Sequence, residues 1–312
     1  MKKQQEIKVF GHRSPDTDAS CSAIVWAWFL QNHRKKLATP YILGPVNTEA
    51  EFVMEYFKVN MPKILHAVDS DQSVAIVDTN NLDELFENIN DTHIVSIIDH
   101  HKLAGNLKTN LPLEIVIQPY ASTMTVIYNV MNIEPEDLPR DIAGLMLSGI
   151  ISDTLAFRSP TTTPDDKNLA EQIAKFIDID ISKYASQMFE AKSKISHFSA
   201  IELLRLDSKI YEIQGKQTRV SVLETTNPQI VLDRYDEIIS EMPRVVEQDN
   251  IDQILLFAID IIKEEATLFI QNDDIKNLAE KSFGVDVIGN TIILPGILSR
   301  KKQILPALTK KL

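Results

Sequence analysis

Residues 93–101 read HIVSIIDHH. Ile94, Val95, Ile97 and Ile98 form a short run of β-branched side chains, the composition of a strand buried on both faces. Asp99, His100 and His101 follow without a spacer, so three ligand-type side chains stand at the C-terminal end of that strand. Open α/β sheets place their sites at such ends. Alone, an Asp-His-His triplet is more often a polar turn closing a strand than a site. Its company elsewhere in the chain decides otherwise.

The same arrangement recurs upstream. Residues 6–10 form an apolar-leaning strand, followed by Gly11-His12-Arg13-Ser14-Pro15-Asp16-Thr17-Asp18. Residues 19–33, with Trp26, Trp28, Phe29 and Leu30, suit a largely buried helix. Pro15 disfavours helix at Ser14, and either Asp16 or Asp18 can cap the helix. A cap explains one carboxylate; the grouping of His12, Asp16 and Asp18 favours a metal or phosphate role. Residues 41–43 read as a strand and 48–57 as a structural amphipathic helix. Residues 74–77 form another buried strand, with Asp78 at its end. Helical stretches at about 122–132 and 138–151 follow, the latter leading into Ser152-Asp153-Thr154.

Strands alternating with helices imply right-handed crossovers and a mainly parallel sheet covered by helices on both faces. The C-terminal edge of such a sheet would gather His12, Asp16, Asp18, Asp78, Asp99, His100 and His101. Asp153 would join them from a helix end or loop. After helices at 164–177 and 181–191, the polar KSKISH at 192–197 reads as a linker between a first domain, 1–191, and a smaller mixed α/β domain, 198–312. In the latter, 198–206 reads as a helix and 209–213 with 219–223 as a hairpin around Gln214-Gly215. Residues 228–246 read as a helix, and 254–262, 267–270 and 291–294 as strands.

Composition narrows the function classes. With 312 residues and 44% hydrophobic content, the chain can bury sizeable cores. Its net charge of −12 argues against general nucleic-acid affinity. No apolar stretch is long enough to span a bilayer, and MKKQQEIKVF lacks a signal-peptide apolar region, so a cytoplasmic protein without a membrane partner is expected. The single cysteine, Cys21, lies in an apolar helical stretch and reads as packing.

Two imidazoles and four carboxylates without a thiolate suit Mn²⁺, Co²⁺ or Mg²⁺, with Zn²⁺ possible. The aspartates would repel one another unless divalent cations intervened. Two such ions sharing a water make a nucleophile at neutral pH, typically aimed at a phosphate or carbonyl centre. A short cationic run such as Arg300-Lys301-Lys302 is usually a solvated face. Its loop position after a strand, in so acidic a chain, makes it the candidate to meet phosphate oxygens.

Together these pieces resemble the family II inorganic pyrophosphatases of the DHH phosphoesterase superfamily. The resemblance covers essentially the whole chain: GHRSPDTDA at 11–19, VDTNN at 77–81, DHH at 99–101, SGIISDTLAFRSPTTT at 148–163 and SRKKQ at 299–303. DHH alone marks only the superfamily. SRKKQ separates pyrophosphatases from the oligonucleotide phosphodiesterases, whose GGGH motif has no counterpart here, since the sequence contains no Gly-Gly pair.

The resemblance implies a DHH-type first domain in which His12 and Asp16 bind one metal, Asp18, His100 and Asp153 the other, and Asp78 bridges the two. It implies that Asp99 orients a neighbour by hydrogen bonding, that His101 faces the substrate, and that Arg300, Lys301 and Lys209 hold phosphate. It further implies Mn²⁺ or Co²⁺ in the protein sites, Mg²⁺ entering with pyrophosphate, attack by a bridging hydroxide, and a homodimer through the first domain. With metals and cations on different domains, closure about 192–197 is expected. In two places the sequence departs from the family pattern. Asp-His-Asn-Glu is replaced by Asp78-Thr79-Asn80-Asn81, which changes the neighbours on which metal preference depends, and Arg13-Ser14 stands where Lys-Asn or Gln-Asn is common. Only 21 residues separate Asp78 from His100, leaving no room for nucleotide-binding modules. A nucleotide or polyphosphate phosphodiesterase and a silent metal-binding module are the competing readings.

Overall fold

The computed structural model describes residues 5–195 and 198–309. These divide into two compact units between Met188 and Phe189, just ahead of the expected linker. Of that linker, 196 and 197 lie outside the described residues.

The first unit is built on a six-stranded, wholly parallel sheet. Its strands are β1 (Ile7–Phe10), β2 (Ala38–Ile42), β3 (Lys63–Ile64), β4 (Ser73–Val77), β5 (His93–Asp99) and β6 (Glu114–Ile117), in the order β3-β2-β1-β4-β5-β6. Every residue of β4 is buried, which is why its SVAIV does not alternate. The helices are α1 (Thr17–Asn32), α2 (Thr48–Tyr56), α3 (Thr123–Met131), α4 (Arg140–Thr154), α5 (Pro164–Phe176) and the part of α6 (Ile181–Lys192) that runs to Met188. α1 is buried almost throughout; Trp26 is wholly enclosed and its indole N–H donates to Ser96 Oγ of β5 at 3.1 Å, so helix and strand are fixed in register. Burying a side chain of that kind stabilises by roughly 1.5–3 kcal/mol. A second apolar cluster, including Phe10, Ile76, Leu85, Ile89 and Ile97, joins the sheet to the turns at 82–91. β3 and β6 lie at the edges, β3 exposed and β6 half-exposed; neither is among the strands expected from the sequence, although Ile115, Val116 and Ile117 of β6 form an apolar β-branched run.

The second unit has α7 (Ala200–Leu206), β7 (Ser208–Ile213), β8 (Lys216–Thr225), α8 (Gln229–Leu232), α9 (Tyr235–Gln248), β9 (Gln253–Asp260), β10 (Glu265–Phe269), α10 (Asp273–Phe283), β11 (Thr291–Pro295) and α11 (Leu305–Thr309). Its five strands run β11-β10-β9-β8-β7, parallel between β8 and β9 and antiparallel elsewhere. The expected hairpin is present, and Gln214 and Gly215 both take positive φ, 51° and 78°, as a two-residue turn between right-twisted strands requires. The helix expected at 228–246 is instead two, because the chain turns at Asp233 and Arg234; Tyr235 beyond the turn stacks on Phe269 and donates to the Ile270 carbonyl. No helix of the described residues is long and apolar enough to cross a membrane.

Candidate metal centre

From β1 the strand order runs outward through β2 and β3, then returns to β4 on β1's other side. The C-terminal ends of β1 and β4 therefore flank the reversal point where such sheets bind ligands. His12 stands just beyond β1, Asp78 immediately beyond β4, and Asp99 closes β5.

Asp16 begins α1. Its Oδ1 accepts the Ala19 N–H at 2.9 Å and caps the helix, while Oδ2 lies 3.7 Å from His12 Nε2. One oxygen of this carboxylate thus caps the helix while the other is turned toward His12. Asp78 sits at φ 57°, a left-handed conformation that costs a non-glycine residue roughly 1–2 kcal/mol and that concentrates at functional sites. Its Oδ2 is 3.4 Å from His12 Nε2, and its Oδ1 is 3.5 Å from His100 Nε2. The same side chain therefore faces a different imidazole with each oxygen.

Asp18 is fully buried. It accepts the Ser122 hydroxyl at 2.8 Å and the Thr123 N–H at 2.7 Å; the Thr123 hydroxyl in turn donates to Asp78 Oδ1 at 2.8 Å. Asp153 arrives from the last turn of α4, with Oδ2 3.5 Å from His100 Nε2. Beyond it Leu155, Ala156 and Phe157 all take positive φ, ending the helix abruptly. Ligating atoms lie within 4.8 Å of one another in three groups: His12, Asp16 and Asp78; Asp18, His100 and Asp153; and Asp78, His100 and His101.

The electrostatics follow from this crowding. Burial, and then the charges of Asp78 and Asp16, push the Asp18 carboxyl well above its usual range, against the hydrogen bonds from Thr123 and Ser122. Burial would also raise Asp99, but the His101 hydrogen bond and the charges of His101 and His100 outweigh it and hold that carboxyl well below the usual range. Asp99 Oδ1 accepts the backbone N–H groups of His100 and His101 and lies 2.9 Å from His101 Nδ1, so it shapes the turn and orients one ring. Carboxylates held close against their own repulsion, with imidazoles and no thiolate among them, fit divalent cations of the Mn²⁺, Co²⁺ or Mg²⁺ kind.

Around Asp78 the chain's own residues are accommodated. Thr79, buried, donates to Glu84 Oε2 at 2.6 Å. Asn80 donates to Asp99 Oδ2 and to the Lys102 carbonyl, and accepts the Ala104 N–H. Ser122 and Thr123 were not among the residues singled out in the sequence, whereas Asn80 was noted only as a departure from the family pattern. Small hydroxyls and amides carry no local signature there, because their role depends on contacts more than a hundred residues away in the case of Asp18.

In the second unit, the sequence placed Arg300, Lys301 and Lys302 in a loop. They instead open a π-helical turn, Arg300–Ile304, because Gln303 knits the preceding segment: its Oε1 accepts the Leu298 and Ser299 N–H groups and its Nε2 donates to the Gly296 carbonyl. Arg300 Nη2 lies 2.8 Å from Asp207 Oδ1, and its Nη1 donates to the Asp207 carbonyl at 3.0 Å. Two motifs distant in sequence, Arg300 and the segment leading to Lys209, are thereby joined.

Residues 6–150 match the DHH family N-terminal domain and residues 186–311 the DHHA2 domain. A Bacillus subtilis protein named manganese-dependent inorganic pyrophosphatase is 35% identical, with 98% of each chain covered. The chain belongs to the manganese-dependent inorganic pyrophosphatase family. A Clostridium acetobutylicum protein, described as a probable member of this pyrophosphatase family, is 39% identical over 97% of each chain. The crystal structure of a Methanococcus jannaschii protein assigned to the family II inorganic pyrophosphatases superposes with a TM-score of 0.83 at 32% identity, covering 98% of this chain and 99% of that one.

Proposed function

We propose that this chain hydrolyses inorganic pyrophosphate to two phosphates at a pair of divalent ions, with manganese as the metal that the relatives' names indicate. The observation that carries the reading is Asp78, whose two oxygens face the His12, Asp16 group on one side and His100 on the other. His12 and Asp16 would hold one ion, Asp18, His100 and Asp153 the second, and Asp78 both. When bound, the ions would supply a water acidic enough to act as a nucleophile at neutral pH, and Co²⁺ could replace Mn²⁺, with Mg²⁺ entering alongside the substrate.

The protein's own groups then have separable tasks. Thr123 and Ser122 hold Asp18 and Asp78 at fixed spacing, and Asp99 fixes the turn that presents His100 and His101. His101, oriented through Nδ1, acts toward the substrate as an acid or electrostatic partner. Arg300, Lys301 and Lys209 stabilise charge on the departing phosphate, and closure of the second unit about 192–197 supplies them. Residues 1–191 and 198–312 act as the metal-binding and substrate-binding domains of a cytoplasmic homodimer.

The test is phosphate release from pyrophosphate, tripolyphosphate and a short oligonucleotide, each with Mn²⁺ or Mg²⁺. Pyrophosphate is the expected substrate. Activity confined to the oligonucleotide would establish a phosphodiesterase instead, and no release from any of the three would leave a metal-binding module.

A further inference from the structure

Glu49 is wholly buried, although it lies in the first turn of α2. An acidic residue there complements the helix dipole, but Glu51 in the same turn does so while exposed. The dipole therefore does not explain why Glu49 is enclosed, and enclosing a carboxylate is costly unless its hydrogen bonds are made. Its Oε2 accepts the Thr17 hydroxyl at 2.8 Å and the Ser152 hydroxyl at 2.6 Å. Thr17 stands between Asp16 and Asp18 at the start of α1, and Ser152 directly precedes Asp153 at the end of α4. One oxygen atom thus ties together the two helix ends that deliver Asp16, Asp18 and Asp153.

We propose that Glu49 is a positioning residue that sets the separation of the two metal-binding groups, acting through Thr17 and Ser152 without touching an ion. This rests on the two-metal reading above. The role needs an oxygen acceptor at that place, which a glutamine carbonyl also supplies. Glu49→Gln therefore keeps the clamp, whereas Glu49→Ala frees both helix ends.

The experiment titrates Mn²⁺ into the metal-free full chain and its variants, following free Mn²⁺ by electron paramagnetic resonance together with the spin-coupled signal of an ion pair, while circular dichroism monitors folding. Removing a group that orients metal ligands typically weakens binding about 10- to 100-fold, and that loss, with weakening of the coupled signal, is expected for Glu49→Ala but not for Glu49→Gln. Ser152→Ala should weaken binding in the wild-type background and add nothing to Glu49→Ala. It also serves as the milder variant if Glu49→Ala does not fold. Wild-type affinity in Glu49→Ala, or equal losses in the alanine and glutamine variants, would overturn the proposal. Failure of the wild-type chain to bind a coupled pair would overturn the two-metal reading itself.

Discussion

Gly149 gives a sharp test of how tightly the Asp18 carboxylate is held. It lies inside α4, and a Cβ added there would stand 2.7 Å from Asp18 Oδ1 and 2.7 Å from Met124 Cγ, well inside van der Waals contact. Alanine improves the helix by about 1 kcal/mol over glycine, while overpacking a filled interior costs about 1–3 kcal/mol. The net change in stability of Gly149→Ala is then about 0–2 kcal/mol, and the fold should survive. The larger effect should fall on metal binding. If Asp18 moves, it loses the Ser122 hydrogen bond; a hydrogen bond to a charged group contributes about 1.5–3 kcal/mol, or about 10- to 100-fold in affinity. The assay is Mn²⁺ titration by calorimetry, alongside thermal melts in EDTA. A variant whose melting temperature is unchanged or lowered by a few degrees, with a tenfold or greater loss of affinity, fits the reasoning. One that binds both ions as the wild type does would show that Met124 alone absorbs the methyl group and that Asp18 is not held in place.

Asp78→Ala should remove both ions, since each group loses its shared carboxylate; metal analysis after gel filtration reads this directly. Arg300→Ala should keep both ions and lose turnover on pyrophosphate, and metal loss in that variant would contradict the division of roles between the two units. Thr123→Val should weaken Mn²⁺ binding and Thr123→Ser should restore it, because the hydroxyl that reaches Asp78 is the relevant group; equal behaviour of the two variants in a binding titration would refute this. The fold raises the Asp18 carboxyl above its unfolded value of about 3.9, so the protonated group favours the metal-free fold in acid and that contribution is lost as pH rises through the folded value. Asp18→Asn should accordingly raise Tm in EDTA at neutral pH, and addition of Mn²⁺ should reverse the ranking; a lower Tm in EDTA would contradict the sign.

The alternation of apolar strands with buried helices made the parallel sheet of the first unit legible, because β4 and β5 are apolar runs with no competing helical period. The positions of the candidate site residues were legible for the same reason: each of His12, Asp78, Asp99, His100 and His101 stands at or just beyond a strand end, a place that a sequence reveals. What supports them was not. Ser122 and Thr123 are ordinary helix-start residues until their distance from Asp18 is known, and Thr79 gains its meaning from Glu84. The break between α8 and α9 is likewise set by Tyr235 meeting β10, a contact that local propensity does not encode. Gln303 was quoted as part of a motif, yet its action on the backbone at 296–299 emerges only in three dimensions.

Because the sheet is wholly parallel, every candidate ligand borne by a strand end sits at one edge, and the opposite edge has a different character. There Gln5 donates to the Asp71 carbonyl, Gln72 donates to the Glu6 carbonyl and the Ser73 hydroxyl bonds to Gln5, amide and hydroxyl ties in place of clustered imidazoles. The turn at 69–71 is exposed, and the five residues of β4 separate it from Asp78 by about 17 Å at strand rise. Cys21 is the sole cysteine and is buried, so Ser70→Cys would offer one reactive thiol for a dye, a spin label or a surface tether. The far edge of the sheet is thus a ready attachment point for reporters and immobilised forms that leave the working edge unencumbered.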